Sequence, residues 1–321
     1  MDKKSNSLVK NARKCENIND PIDTYVVDYA AMAFSKMFIK LHIIPNVITL
    51  LSGIVGVAGG ILLAFNSLLL TIIGILLIIL SAIFDASDGQ VARLTKHYSN
   101  FGRTLDGFAD FCVYFSIYIA LCVRLFGANI PFTDTAWSFW IIPFAALALW
   151  CFGAQARTLD YFKNVHMFMI RNGGGKHNEL SKTADIKAQR EKCKKFSLEH
   201  FRLTMYLSYT KLQEKATPKT QKLLGEIAKN GDEVPQPIID AYKEKSKKYI
   251  TLANALAFNL RTIVLFILLL LPWNVEALYF AFVIVALEPI RIIVIKKYEK
   301  LAESVNKQEF FAMAEKEKKT A

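Results

Sequence analysis

Four aspartates punctuate the run FDASDGQVARLTKHYSNFGRTLDGFAD, residues 84–110, which joins two strongly apolar stretches. Asp85 directly follows LLLTIIGILLIILSAIF, and Asp106 and Asp110 lead straight into Phe111, Cys112 and Val113. A carboxylate in such a place is costly unless it is paired or holds a cation. On a helix, residues three or four apart share a face. Asp85 and Asp88 are therefore one pair, and Asp106 and Asp110 another, with Gly102 one turn back on the second face. The short link makes the two helices antiparallel neighbours, so both pairs meet at one depth. Four such groups repel unless cations intervene. Hard oxygen donors with open positions suit Mg²⁺ or Mn²⁺, and two ions about 4 Å apart can clamp a diphosphate and neutralise its leaving group. Small Gly89, Ala92 and Gly102 let a nucleotide approach the backbone, and Arg93 supplies a guanidinium for a phosphate.

These residues need apolar helices to carry them. The chain has 321 residues, more than half of them apolar, with a formal net charge of +12. Positive mean hydropathy combined with a basic excess fits membrane spans alternating with basic segments, and no nucleic-acid partner is expected. A spanning helix needs about 20 mostly apolar residues. Six stretches qualify: 43–65, 68–94, 102–126, 137–162, 249–271 and 275–295. The five cysteines are scattered, without CxxC or zinc-like spacing, and are read as reduced thiols. The fold class is thus all-α: a polytopic membrane protein of six transmembrane helices.

Lysine and arginine placement orients the spans. Basic residues crowd residues 1–20, the 94–103 link, the segment after span four and the C-terminal stretch, whereas the other three links are nearly uncharged, with Arg124 near that side. Both termini are expected to be cytoplasmic, in a bacterial inner membrane rather than the endoplasmic reticulum. Residues 22–41 read as an amphipathic helix, either lying in the membrane interface or packed on the protein. The domains follow: 1–42, N-terminal segment and interfacial helix; 43–165, spans one to four; 166–248, a helical cytoplasmic insert; 249–297, spans five and six; 298–321, a cytoplasmic tail. Within the insert, helices are predicted over 182–209 and 218–228, the second capped by Thr217 ahead of Pro218 and stopped at Asn230-Gly231. Another helix starts near Pro237 and leads into span five. The run Gly173–Gly175 reads as a hinge, because the Lys-Ser/Thr context of a phosphate loop is missing.

The chemistry-bearing stretch spells D-x2-D-G-x2-A-R-x8-G-x3-D-x3-D, eight fixed residues over 26 positions. It resembles the motif of the CDP-alcohol phosphatidyltransferase family, and within it the inositol and inositol-phosphate enzymes. The resemblance covers residues 22–162 well, spans five and six loosely, and the insert not at all. It implies a CDP-linked lipid donor, an alcohol acceptor, release of CMP, and a homodimer within membrane lipids. It also implies that Asp85, Asp88 and Asp106 bind the metals. Asp110 is implied both as a metal ligand and as the catalytic general base, while Gly89, Ala92, Arg93 and Gly102 line the CDP site. Pro45-Asn46-Val47-Ile48-Thr49 resembles a family element near the nucleotide. Asn46 and Thr49 are then either CDP contacts or plain helix-start residues.

Arg157, Arg261 and Arg291 fall in later spans, where a charge is a functional candidate. They are taken as acceptor-binding, which suits an anionic acceptor; Arg291, near Lys296 and Lys297, can instead snorkel to the interface. Relatives often carry lysine where this chain has Gln155. Gly56 and Gly60 form a GxxxG read as helix packing, and Glu288-Pro289 is read as a kink with Glu288 beside an arginine. The preferred reaction moves a phosphatidyl group from CDP-diacylglycerol to inositol or its phosphate. A CDP-choline or CDP-ethanolamine transferase with a lipid acceptor is the alternative. A transporter is the remote one, since its carboxylates belong near the midplane. The charge pattern predicts that Cys193, in the insert, reacts with a membrane-impermeant maleimide only from the cytoplasmic side, and that a cysteine placed at Asn66 reacts only from the other.

Overall fold

The computed structural model describes residues 27–97, 100–131, 133–170, 180–195, 197–229, 231, 233–272 and 274–305. The basic residues 1–26, the Gly173–Gly175 run, Asn230 and the tail beyond 305 lie outside the described residues. In chain order the helices are α1 (Asp28–Lys40), α2 (Pro45–Leu62), α3 (Leu68–Thr95), α4 (Asn100–Leu125), α5 (Ile141–Ile170), α6 (Thr183–Glu191), α7 (Leu198–Ala216), α8 (Pro218–Lys229), α9 (Gln236–Ala253), α10 (Phe258–Leu270), α11 (Ala277–Ala281) and α12 (Glu288–Val305). One isolated bridge joins Asn129 and Ala136, and no strand occurs among the described residues. Among the described residues, six helical stretches are long and apolar enough to cross a membrane: Pro45–Leu62, Leu68–Thr95, Thr104–Leu125, Ile141–Ile170, Gln236–Leu270 and Ala277–Val305. The chain is an integral, multi-pass, all-helical membrane protein.

It divides into two compact units, Met1–Phe152 with Phe258–Val285, and Gly153–Ala257 with Ala286–Ala321. In the first, α2 starts with Pro45 in its first turn, where the missing N–H costs nothing. Helix α3 ends at Lys96, whose φ of 58° turns the chain into the short link before α4. Helix α1 buries Ala31, Met32, Ser35 and Phe38. Phe34 and Phe38 meet Phe84 of α3 edge-on at 5.1 and 5.5 Å. Ser35 Oγ donates to Gln90 Oε1 at 3.1 Å, and Gln90 Nε2 donates to the Asp28 carbonyl at 3.0 Å. Its other face exposes Lys36, Met37 and Lys40, so α1 is packed on one side and amphipathic outside.

Glycines bring the first three spans together. A Cβ on Gly59 would stand 2.8 Å from the Gly74 carbonyl oxygen, and one on Gly74 equally close to that of Gly59. The Gly56 and Gly60 pair faces Ser81, Val113 and Ser116, so the GxxxG serves packing within the chain. Near the ends of these spans Arg124 Nε pairs with Glu276 Oε1 at 2.8 Å, the side chains being 8% and 1% exposed. Arg124 Nη1 also donates to Thr71 Oγ1 at 2.7 Å.

The second unit holds the insert. The predicted helix over 182–209 is two helices, α6 and α7. Ser197 breaks it by capping α7, its hydroxyl accepting the His200 N–H at 3.1 Å; the cap outweighs the continuing apolar periodicity. Ile186, Leu203 and Leu207 form the small core between them. The start of α8 is capped by Glu299 of α12, which accepts the Lys219 and Thr220 N–H groups at 2.8 and 3.0 Å. The Thr217 hydroxyl instead donates to the Gln213 carbonyl at 2.9 Å. After α8, Gly231 adopts a φ of +76°, a backbone that glycine takes without strain. Before Pro289, residues Phe282–Leu287 form a π-helical segment, a place where the ladder adjusts to the missing proline N–H.

Because backbone blocks the space at Gly74, Gly74→Ala should destabilise the protein by about 1–3 kcal/mol. Nothing lies within 4 Å of a Cβ on Gly225 in α8, so Gly225→Ala should be neutral or stabilising by up to about 1 kcal/mol. Thermal unfolding of the detergent-purified chain measures both.

Candidate active site

From Leu68 to Asp85 the axis of α3 runs about 26 Å, against a hydrocarbon core of about 30 Å. The first carboxylate therefore stands where an apolar helix reaches the edge of the core, and three further turns of α3 continue beyond it. Asp85 and Asp88 from α3 and Asp106 from α4 each offer a carboxylate oxygen, and these oxygens lie within 4.8 Å of one another. Asp88 is buried and the other two are half-buried. Asp110 does not belong to this trio. It lies one turn further along α4, is exposed, and remains in electrostatic contact with Asp85. Sequence spacing gave the shared face of Asp106 and Asp110, whereas the 1.5 Å rise per residue separates the two by about 6 Å along the axis.

The trio is supported from α2. The hydroxyl of Thr49 is hydrogen-bonded to Asp88 Oδ2, and Thr49 is itself buried. Ser52 Oγ donates to the Thr49 carbonyl at 2.7 Å, and Ser81 Oγ to the Ser52 carbonyl at 2.8 Å. This chain of hydroxyls fixes α2 against α3 at the level of the carboxylates. Thr49 thus holds a carboxylate, a role that its place in the first turn of α2 did not reveal. Asn46 is half-buried in the same turn.

The Arg93 guanidinium lies over Gly89. A Cβ there would stand 3.2 Å from Arg93 Nη1, so glycine leaves room for the positive group next to Asp88. Ala92 and Gly102 are half-buried on α3 and α4. Gly107 was not singled out by sequence. It follows Asp106, and no atom lies within 4 Å of where its Cβ would be. A helical glycine costs roughly 0.5–1 kcal/mol relative to alanine, and packing does not require this one.

The carboxylates fit a divalent cation. Asp85 Oδ1 is buried without a hydrogen-bond partner, and an orphaned anionic oxygen beside two further carboxylates is a hard-cation donor set.

Arg261 sits in the first turn of α10 and is 2% exposed. Its guanidinium lies 4.5 Å from the Phe152 ring centroid, and its Nε and Nη2 have no hydrogen-bond partner. Tyr114, one turn beyond Asp110 on α4, interacts electrostatically with both Asp110 and Arg261. Arg157 and Arg291 belong to the second unit and lie within electrostatic reach of each other. Arg291 is paired with Glu288 at 2.5 Å, the partner expected from sequence, and Gln155 Nε2 donates to the same carboxylate at 3.2 Å.

Residues 42–165 match the family model described as CDP-alcohol phosphatidyltransferase. The match takes in α2, α3, α4 and most of α5, and so contains all four aspartates, Thr49 and Arg157. No curated protein and no solved structure matches the chain. Members of the family transfer a CDP-linked group to an alcohol and release CMP. The acidic trio at the junction of two spans and the guanidinium over Gly89 both lie inside the matched stretch, so this membrane-spanning part of the chain is similar to the CDP-alcohol phosphatidyltransferase family.

Proposed function

We propose that the enzyme moves a phosphatidyl group from CDP-diacylglycerol to inositol or inositol phosphate. The observation that carries this reading is the meeting of Asp85, Asp88 and Asp106 within 4.8 Å, with Asp110 one turn away. In this reading the three carboxylates, joined by Asp110, hold two Mg²⁺ or Mn²⁺ ions. Such ions, when bound, neutralise a diphosphate and stabilise the departing phosphate. Thr49 keeps Asp88 in position. Arg93 binds a donor phosphate, while Gly89, Ala92, Gly102, Asn46 and the open space over Gly107 accommodate CDP.

Asp110 is the general base. It stands on α4 beside the trio, within electrostatic reach of Asp85. It takes the acceptor's hydroxyl proton as the oxygen forms a bond to the phosphorus that carries the diacylglycerol. The anhydride P–O bond breaks, and its electron pair leaves with CMP. An anionic acceptor is favoured by Arg261, a guanidinium buried in a membrane helix with two donors unfilled, where an anion compensates the cost of burial. Arg157 and Arg291, within electrostatic reach of each other in the second unit, are likewise read as acceptor-binding. The basic segments, the insert included, are assigned to the cytoplasm, and the enzyme to a homodimer in a bacterial inner membrane.

The deciding assay incubates membranes with each CDP donor and a panel of labelled acceptors. Incorporation of inositol or its phosphate from CDP-diacylglycerol supports the reading, and turnover confined to CDP-choline or CDP-ethanolamine rejects it. Asp110→Asn should lower transfer by about 10²–10⁴-fold while donor binding changes little. Unimpaired turnover by that variant removes the base assignment. Thr49→Val should raise the Mg²⁺ concentration needed for half-maximal thermal stabilisation by about tenfold, with Thr49→Ser close to wild type. Thorough chelation should abolish CMP release.

A further inference from the structure

The insert lies outside the stretch that matches the family, and its longest helix, α7, meets α5 where that helix carries Arg157. Tyr209 Oη donates to Asp160 Oδ2 at 3.2 Å, and Asn164 Nδ2 donates to the other oxygen of that carboxylate at 3.2 Å. One turn further along α7, Gln213 Nε2 donates to the Arg157 carbonyl at 3.2 Å. The two contacts are four residues apart on α7 and bracket a single turn of α5. The guanidinium of Arg157 lies within electrostatic reach of Tyr209 as well as of Arg291.

We propose that the insert is an acceptor-positioning element, in which Tyr209 and Gln213 fix the turn of α5 that presents Arg157. The proposal rests on the reading of Arg157 as an acceptor-binding residue. Its physical basis is the freedom of an arginine side chain: a long, flexible stem loses rotamer entropy when it grips an anion, and pre-fixing its base lowers that cost. Burial, followed by the charge of Asp160, pushes the Tyr209 hydroxyl above its ordinary value, so it keeps its proton and stays a donor. The Tyr209 ring stacks on Tyr206 at 6.4 Å. Helix α7 is anchored independently of α5: Tyr206 Oη donates to Ser181 Oγ at 2.8 Å, and Glu214 Oε1 accepts the Thr183 N–H at 2.8 Å. Arg291 is braced by Glu288, whereas the turn carrying Arg157 is braced from the insert.

The test is steady-state kinetics of the full chain in nanodiscs, with acceptor and donor varied in turn. Tyr209→Phe keeps the stacked ring and removes the donor, and Gln213→Leu removes the second brace at similar size. Each should raise the acceptor KM about three- to tenfold, and the double variant more, while donor KM, Mg²⁺ requirement and thermal midpoint stay near wild type. Arg157→Gln, run in parallel, should raise the acceptor KM further. If Arg157→Gln raises it and the Tyr209 and Gln213 variants do not, the positioning role is overturned and the reading of Arg157 stands. If Arg157→Gln leaves it unchanged, that reading falls and takes the positioning role with it. Equal rises in donor and acceptor KM would mean general distortion, and would also overturn the role.

Discussion

Asp85, Asp88 and Asp106 concentrate negative charge at the end of two apolar helices, where neither lipid nor packed side chains can screen it. Bringing three carboxylates within 4.8 Å is unfavourable for the protein alone, since like charges and desolvation both oppose it. The surrounding structure accepts that cost in a fixed geometry. Thr49 ties one carboxylate to α2, and Ser52 and Ser81 continue the tie between α2 and α3. A divalent cation would then meet carboxylates already arranged, with little reorganisation needed to bind it.

That geometry depends on how closely three helices approach. The mutual contact of Gly59 and Gly74 leaves no space for a side chain on either. Helices drawn together by small residues pack through many weak dispersion contacts, and a shift of one helix would move its carboxylates relative to the others. Polar hydroxyls near the carboxylates and glycines farther along the spans therefore serve one end. Arg261 shows the opposite strategy, a charge left with donors unfilled and supported by the face of Phe152. An aromatic face offers partial compensation for a buried cation without occupying its hydrogen-bonding capacity.

The part of this architecture that depends on local spacing was legible in the sequence. Hydropathy located the six spans, and intervals of three and four placed each aspartate pair on one helix face. Contacts between distant residues were not legible. Nothing near Thr49 indicates that it reaches Asp88, and nothing near Pro218 indicates a cap arriving from Glu299. The shared face of Asp106 and Asp110 followed from their spacing of four, and Asp110 lies within electrostatic reach of Asp85 on the neighbouring helix. The break before α7 had a local signal, Ser197 three residues ahead of His200, but the apolar pattern running through it obscured the cap. A lone helical glycine such as Gly107 carries no local signal, because the open space beside it depends on where the neighbouring helices lie.

The pairing of Arg124 with Glu276 bears on how the protein is made. The two residues belong to different hairpins, one leaving the ribosome long before the other. Until the later hairpin arrives, Arg124 is a cation in the growing bundle without its counter-charge, and Glu276 in turn cannot settle beside lipid alone. Their union, 1% exposed at Glu276, acts as a latch closed only by correct docking of the last two spans. A nascent chain truncated after the fourth span lacks this ion pair, and its Arg124 keeps only the Thr71 hydroxyl and the Phe65 carbonyl as partners.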